Sequence, residues 1–118
     1  MKLQNYLLVS ILFLCVDMPW LLLGSKYSKA MIESIQHMPL TIRWAPSMVV
    51  YLALAYLVTI PTSTTDAFLL GASVYAIYDF TNYATLSHYS LRFAIMDSIW
   101  GGILMSIVYN IVKSFDLN

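Results

Sequence analysis

Four apolar segments, at about residues 5–24, 44–60, 67–86 and 91–112, make up most of this 118-residue chain. A helix needs about 20 mainly apolar residues to cross a hydrocarbon core of about 30 Å. Only 10% of the residues are charged, against roughly 25% in soluble globular domains. The sequence therefore predicts an all-α fold, a four-transmembrane-helix bundle that forms one integral membrane domain over residues 1–118, with the lipid bilayer as its main partner.

Composition and motifs exclude several classes of function. The formal net charge is zero and no basic run is present, so no nucleic-acid surface is expected. Cys15 is the only cysteine, which rules out a disulfide within the chain. No Ser/His/Asp set, zinc-type His pair or phosphate-binding Gly loop occurs. We therefore predict no catalytic residue, no metal site and no cofactor, and the sequence favours a protein that is not an enzyme.

The first apolar segment has an alternative interpretation as a cleaved signal peptide, because a lysine precedes it. Asp17, Pro19 and Trp20 interrupt the apolar run, and no convincing small-residue cleavage site follows. We therefore expect a retained helix. Pro19 cannot donate a backbone hydrogen bond, so a kink is expected close to Asp17.

Residues 25–43 form the longest polar connection. Within them Tyr27, Met31, Ile35 and Met38 recur at helical spacing. This pattern predicts a short amphipathic segment in the membrane interface between helices 1 and 2. A loop that packs a few apolar side chains is the alternative.

Four spans place both termini on one side of the membrane. The connections 25–43 and 87–90 lie on the other side, which also carries the larger number of cations. These are Lys26, Lys29, Arg43 and Arg92, against Lys2 and Lys113 on the terminal side. The positive-inside rule predicts that the two connections face the cytoplasm.

Three carboxylates, Asp17, Asp79 and Asp97, lie inside the apolar segments. An ionisable group at the centre of a bilayer costs about 2.5–3.5 kcal/mol on insertion scales, and such groups mark functional sites by default. At 1.5 Å per residue, all three lie roughly 9–11 Å inside the membrane face that bears the two connections. We therefore expect one polar cluster in that half of the bundle.

Helical spacing adds further side chains to this expected cluster. Tyr75, Asp79 and Asn82 share one helix face, and a tryptophan follows both Asp17 and Asp97 at i+3. Each indole N–H is a hydrogen-bond donor, and a carboxylate could accept its hydrogen bond across the bundle. The candidate residues are Asp17, Trp20, Tyr75, Asp79, Asn82, Asp97 and Trp100.

The chemistry of such a cluster has three interpretations. Three carboxylates this close cannot all be ionised without a counter-charge. Some must bind protons, or a cation must bind there, or Arg43, Arg92 and His88 must fold over the cluster. The working hypothesis is that the cluster binds protons or a small polar ligand, with Asp79 as central acceptor and Asn82 as its hydrogen-bond partner. The alternatives are a packing role, in which hydrogen bonds hold the helices together, and catalysis within the membrane.

Most of the Tyr and Trp residues are interpreted as interfacial anchors, because they lie near the ends of the predicted spans. Tyr6, Trp44, Tyr89 and Tyr109 are examples. A cofactor pocket is the alternative that so many Tyr and Trp residues suggest.

The string Tyr-Asp-Phe-Thr-Asn-Tyr-Ala-Thr at residues 78–85 resembles the core motif Tyr-Asp-x-Thr-Asn-x-Ala-Thr of an uncharacterised family of small, mostly bacterial, four-helix membrane proteins. That family, a domain of unknown function, also carries Asp-x-x-Trp in its first helix, here Asp17 and Trp20. Its last helix carries Asp-x-x-Trp-Gly, here from Asp97 to Gly101. Pro19 departs from the small or apolar residue usual in the first motif. The resemblance implies an integral membrane fold and no established activity.

The spread of this family suggests an alternative context. Genes of this type look like genes that are also carried by large DNA viruses of algae and protists. The Ile, Tyr, Ser and Asn usage of this chain suits such a genome. The alternative function is therefore a structural membrane component of a larger assembly, such as a minor capsid or inner-membrane protein of a virus particle. The cluster would then serve helix packing, and a homo-oligomer is the other assembly considered.

Overall fold

The computed structural model describes all 118 residues and contains four α-helices and no β-strand. Helix α1 spans Leu3–Gln36, α2 spans Trp44–Leu57, α3 spans Thr64–Thr85 and α4 spans Leu91–Ser114. The all-α, four-helix prediction is confirmed. The main difference from the predicted spans lies in α1.

Helix α1 runs for 34 residues without interruption, so no separate interfacial helix follows the first span. It continues through Pro19 and Gly24 and ends where His37 adopts a left-handed conformation with φ of 57°. At 1.5 Å per residue, its length of about 50 Å exceeds a hydrocarbon core of about 30 Å. The last third of α1 therefore extends beyond the length needed to cross a membrane.

Tyr27, Met31 and Ile35 of the predicted apolar face pack against the rest of the protein, whereas Met38 lies beyond the end of α1 and is 66% exposed. Met31 is buried and forms a small apolar cluster with Tyr89 and Ala94. The Tyr27 ring stacks on Phe93, with ring centroids 5.9 Å apart. These contacts bring the end of α1 to the connection between α3 and α4, on the same side of the bundle.

Side-chain caps set the starts of α3 and α4. The Ser63 hydroxyl accepts a hydrogen bond from the backbone N–H of Asp66 at 3.1 Å. The Ser90 hydroxyl accepts one from the N–H of Phe93 at 3.1 Å. Each cap satisfies a donor that the first turn of a helix leaves free, which explains why both helices begin after a serine.

Two of the four helices, α1 and α4, are long and apolar enough to cross a membrane. Helix α2 is apolar but has only 14 residues. Helix α3 has 22 residues but is not among the candidates, and it contains two Asp residues as well as Thr, Ser, Asn and Tyr. Length and composition therefore support two of the four predicted spans.

Helix α4 lies at the centre of the packing. It contacts α3 along much of its length and also packs against α1, which in turn packs against α2. One apolar core near the chain termini joins all four helices. Its buried residues are Val9, Phe13, Leu54, Ala55, Val58, Ala67, Leu104, Met105, Val108, Tyr109 and Val112.

Glycines allow the close approach of α3 and α4. A Cβ atom on Gly71 would overlap the carbonyl oxygen of Gly101, and a Cβ on Gly101 would lie 2.7 Å from the carbonyl oxygen of Gly71. A Cβ on Gly102 would lie 2.7 Å from the Phe68 ring. Small residues let helix backbones approach in this way, and this crossing sets how Tyr75 and Asp79 face α4.

Candidate functional site

Two reciprocal hydrogen bonds join α1 to α4. The Trp20 indole Nε1 donates to Asp97 Oδ1 at 2.8 Å, and the Trp100 Nε1 donates to Asp17 Oδ1 at 2.7 Å. The two indole rings stack between these bonds, with centroids 6.0 Å apart and planes at 21°. Each carboxylate is thus held by the tryptophan of the opposite helix, not by the tryptophan three residues away in its own helix.

Helix α2 adds a second donor to Asp17. The Tyr51 hydroxyl donates to Asp17 Oδ2 at 2.7 Å, so both oxygens of this carboxylate accept a hydrogen bond. Asp17 is only 5% exposed. It therefore links α1, α2 and α4 at one point.

Asp79 in α3 is completely buried, at 0% exposure. Its Oδ1 accepts a hydrogen bond from the Tyr89 hydroxyl at 2.7 Å, whereas its Oδ2 has no donor from an N–H or hydroxyl group. The side chain that faces Asp79 in hydrogen-bonding contact is the carboxyl of Asp97. Two carboxyls can share a hydrogen bond only when one of them holds a proton.

Tyr89 belongs to the connection that precedes α4, and it is 7% exposed. Burial raises the pKa of its phenol above the usual value, and the hydrogen bond to Asp79 raises it further. The phenol therefore remains protonated and available as a donor to Asp79 over the ordinary pH range.

Two further candidates lie at the edge of this arrangement. The Tyr75 hydroxyl lies among the side chains of Asp17, Asp79, Asp97 and Tyr51, with no hydrogen bond to any of them. Asn82 contacts the phenols of Tyr78 and Tyr89. Asn82 therefore approaches Asp79 through Tyr89 and is not its direct partner.

We call this set the polar cluster. It consists of Asp17, Trp20, Tyr51, Tyr75, Asp79, Tyr89, Asp97 and Trp100. The basic side chains that were considered as partners of the carboxylates do not belong to the polar cluster. Arg43, His88 and Arg92 are all exposed, and no basic group acts on Asp17 or Asp79. The cluster therefore contains carboxyls, phenols and indoles without a positive side chain.

A cavity of about 540 Å³ adjoins the polar cluster. Asp17 and Asp97 lie in its wall, together with the rings of Trp20, Tyr75 and Phe93. Most of its other lining side chains are apolar and come from α1, α2 and α3. No group of three or more His, Cys, Asp or Glu residues in the structure is arranged to hold a metal ion.

The sequence from residue 2 to residue 112 matches a family model described as a predicted membrane protein, DUF2177. The chain belongs to the DUF2177 family. The match agrees with the resemblance seen in the sequence motifs, and it identifies a membrane protein family of unknown function. No curated protein and no solved structure matches this DUF2177 chain.

The motifs that suggested the family converge in this DUF2177 protein. The core motif supplies Asp79 from α3, and the two Asp-x-x-Trp motifs supply the crossed pairs of α1 and α4. Gly101, which ends the last motif, lies where α3 and α4 are closest. The three motifs therefore describe one contact region between three helices.

Sequence reasoning missed two members of the polar cluster. Tyr51 lies in a span without charged residues that also contains Tyr56 and Thr59, and nothing in its spacing linked it to Asp17. Tyr89 was interpreted as an interfacial anchor, which was wrong, because it is buried against Asp79. Tyr109 was also wrongly interpreted as an anchor, since it is 6% exposed within the apolar core.

Proposed function

We propose that this DUF2177 protein is a multi-pass membrane protein in which all four helices cross the bilayer, and that its polar cluster binds a proton. Both α2 and α3 carry large apolar side chains that the rest of the protein does not cover. Val49 in α2 is 64% exposed and Ile77 in α3 is 70% exposed. Such side chains are stable in contact with lipid, which supports spans for these two helices as well.

One observation carries the proton-binding proposal. Asp79 Oδ2 is buried without an N–H or hydroxyl donor, and it faces the Asp97 carboxyl. Two buried carboxylates in contact repel each other and lack hydration, so the pair is stable only when it holds a proton. Tyr89 and Trp20 each donate to one carboxyl of this pair, which orients the two groups toward each other.

Infrared spectroscopy of the purified protein tests this proposal. A protonated carboxyl gives a C=O stretching band that an ionised carboxylate lacks, so we expect such a band at neutral pH. The band should disappear or shift in Asp79→Asn and in Asp97→Asn. Asp116→Asn, at an exposed position after α4, is the matched control and should retain it. Absence of the band from the folded wild-type protein would refute proton binding.

A packing role is the second candidate, and the crossed Asp–Trp pairs favour it. They join α1 to α4, and Tyr51 joins α2 to the same carboxylate. If packing is the whole role, Asp79→Asn should lower stability in detergent while any proton or solute flux through the protein stays unchanged. If the cluster carries protons, the flux should fall even in variants that remain folded.

A role in a larger assembly, including a virus particle, remains a prediction. It requires stoichiometric association of this chain with other proteins or with copies of itself. Co-purification with coat proteins from an intact membrane would support a virion component, and a chain that purifies alone as a functional transporter would contradict it.

A further inference from the structure

We propose that the cavity beside the polar cluster binds a lipophilic organic cation, meaning a positively charged nitrogen or phosphorus centre carried by an apolar body. This inference rests on the proposed function, because it assigns a ligand to the same cluster. It depends on the charge, the aromatic rings and the shape of the cavity wall.

The charge of the wall selects a cation. Asp17 and Asp97 both line the cavity and are only 5% and 8% exposed. Trp20 is the only N–H donor that reaches Asp97, so the other oxygen of Asp97 keeps lone pairs for Asp79 or for a ligand. Because no Lys, Arg or His contacts these carboxylates, a positive ligand would supply the missing counter-charge.

Aromatic rings surround the same two carboxylates. Trp20, Tyr75, Tyr78 and Phe93 all line the cavity. The face of an aromatic ring attracts a cation, and the attraction grows when both are removed from water. Rings and carboxylates together favour an organic ammonium or phosphonium group over a hydrated metal ion, which needs several oxygen ligands.

The rest of the wall suits an apolar body. The cavity volume of about 540 Å³ falls in the range of about 300–1,000 Å³ typical of small-molecule sites. The apolar side chains in this part of the wall are Leu21, Val50, Ala53, Leu54, Leu57 and Val74. No Cα atom of α2 lies within 8 Å of a Cα atom of α3, and residues of both helices line the cavity. In a bilayer this gap gives an apolar ligand access from the hydrocarbon layer.

Equilibrium dialysis of radiolabelled tetraphenylphosphonium against the purified, detergent-solubilised protein tests the proposal. Tetraphenylborate has the same shape and the opposite charge, so it is the matched control ligand. We expect saturable binding of about one tetraphenylphosphonium per chain and no saturable binding of tetraphenylborate. Equal binding of both ions, or of neither, overturns the proposal.

Variants locate the binding in the cavity. Asp17→Asn removes a charge from the wall and should weaken tetraphenylphosphonium binding at least tenfold, as expected when one partner of a buried charge pair is removed. Ala53→Phe fills the apolar end from α2, outside the polar cluster, and should also weaken binding at least tenfold. Ala84→Phe, at an exposed position of α3 that does not line the cavity, should leave it unchanged. Unchanged binding in a folded Ala53→Phe protein overturns the proposal.

The infrared test and the dialysis test can fail separately. A protonated carboxyl band without tetraphenylphosphonium binding leaves proton binding intact and overturns the cation site. Tetraphenylphosphonium binding without that band supports a cation site built on two ionised carboxylates. The same result overturns the proton-binding proposal.

Discussion

The backbones of Gly71 and Gly101 are in contact where α3 crosses α4, and neither position has room for a Cβ atom. This contact holds Tyr75 and Asp79 against α4, because both follow Gly71 along the same helix. The polar cluster therefore depends on a packing feature that contains no polar side chain.

Gly71→Ala should destabilise the protein by about 1–3 kcal/mol, the usual cost of adding a methyl group where the surroundings are already packed. The new Cβ would meet the backbone of Gly101 and the Cβ of Met105, neither of which can rotate away. Gly24→Ala is the matched control, since its Cβ would lie 3.8 Å from the Trp20 ring. That variant should be neutral or more stable, as alanine is the better helix former. Denaturant titration in mixed micelles measures both, and equal effects would contradict the close crossing.

The crossed pairs should make Trp20 and Trp100 energetically coupled. Trp20→Phe and Trp100→Phe each leave a buried carboxylate without an N–H donor, at a cost of about 1–3 kcal/mol. Because the two rings also stack, the double variant should deviate from the sum of the single variants by about 0.5–3 kcal/mol. Trp44→Phe, at a ring that is 74% exposed, should have little effect. Additive costs for Trp20 and Trp100 would show that the pairs act independently.

Tyr89 should make stability fall at alkaline pH. Its pKa is higher in the folded protein than the ordinary value of 10.0, because burial and the bond to Asp79 favour the neutral phenol. The stabilisation is therefore complete below about pH 10 and is lost as the pH rises above that value. Tyr89→Phe should be less stable than wild type near neutral pH, by about 1–3 kcal/mol, because Asp79 Oδ1 loses its donor. The difference should shrink above pH 10, whereas Tyr56→Phe, at an exposed ring, should differ from wild type at neither pH.

Single-cysteine labelling separates four spans from two. In a Cys15→Ser background, new cysteines at Lys29, Thr62, His88 and Ser114 report on the connections and on the end of α4, and all four positions are exposed. Four spans predict that an impermeant thiol reagent labels Lys29→Cys and His88→Cys from one side and Thr62→Cys and Ser114→Cys from the other.

If only α1 and α4 cross the membrane, Thr62→Cys should label from the same side as Lys29→Cys. The side that carries Lys29 and His88 should be cytoplasmic if the positive-inside rule holds for this chain. Labelling of these two positions from the outside would reverse the predicted orientation.

The sequence predicted the four helices because apolar runs and turn residues mark them clearly. It did not predict the length of α1. The polar residues after Gly24 resemble a connection, but Gly24 packs beside Trp20 and no proline follows before Pro39 to stop the helix. Helical hydrogen bonds therefore continue to Gln36, and the contact with Tyr89 and Ala94 supports this extension.

The candidate site was predictable in part. Apolar surroundings made Asp17, Asp79 and Asp97 conspicuous, and their depth placed them in one layer. The partners of these carboxylates come from other helices, as with Tyr51 and Asp17. Spacing within one helix cannot identify such a partner, because it depends on how the helices are rotated about their own axes.

The crossed Asp–Trp pairs also restrict how α1 and α4 can slide along each other. Asp17 pairs with Trp100 and Trp20 pairs with Asp97, as expected for antiparallel neighbours. A shift of α4 along α1 in either direction stretches both hydrogen bonds together, so neither can compensate for the other. The two hydrogen bonds together thus fix the register of the two helices. Any rearrangement that moves α4 along its axis must break both of them at once.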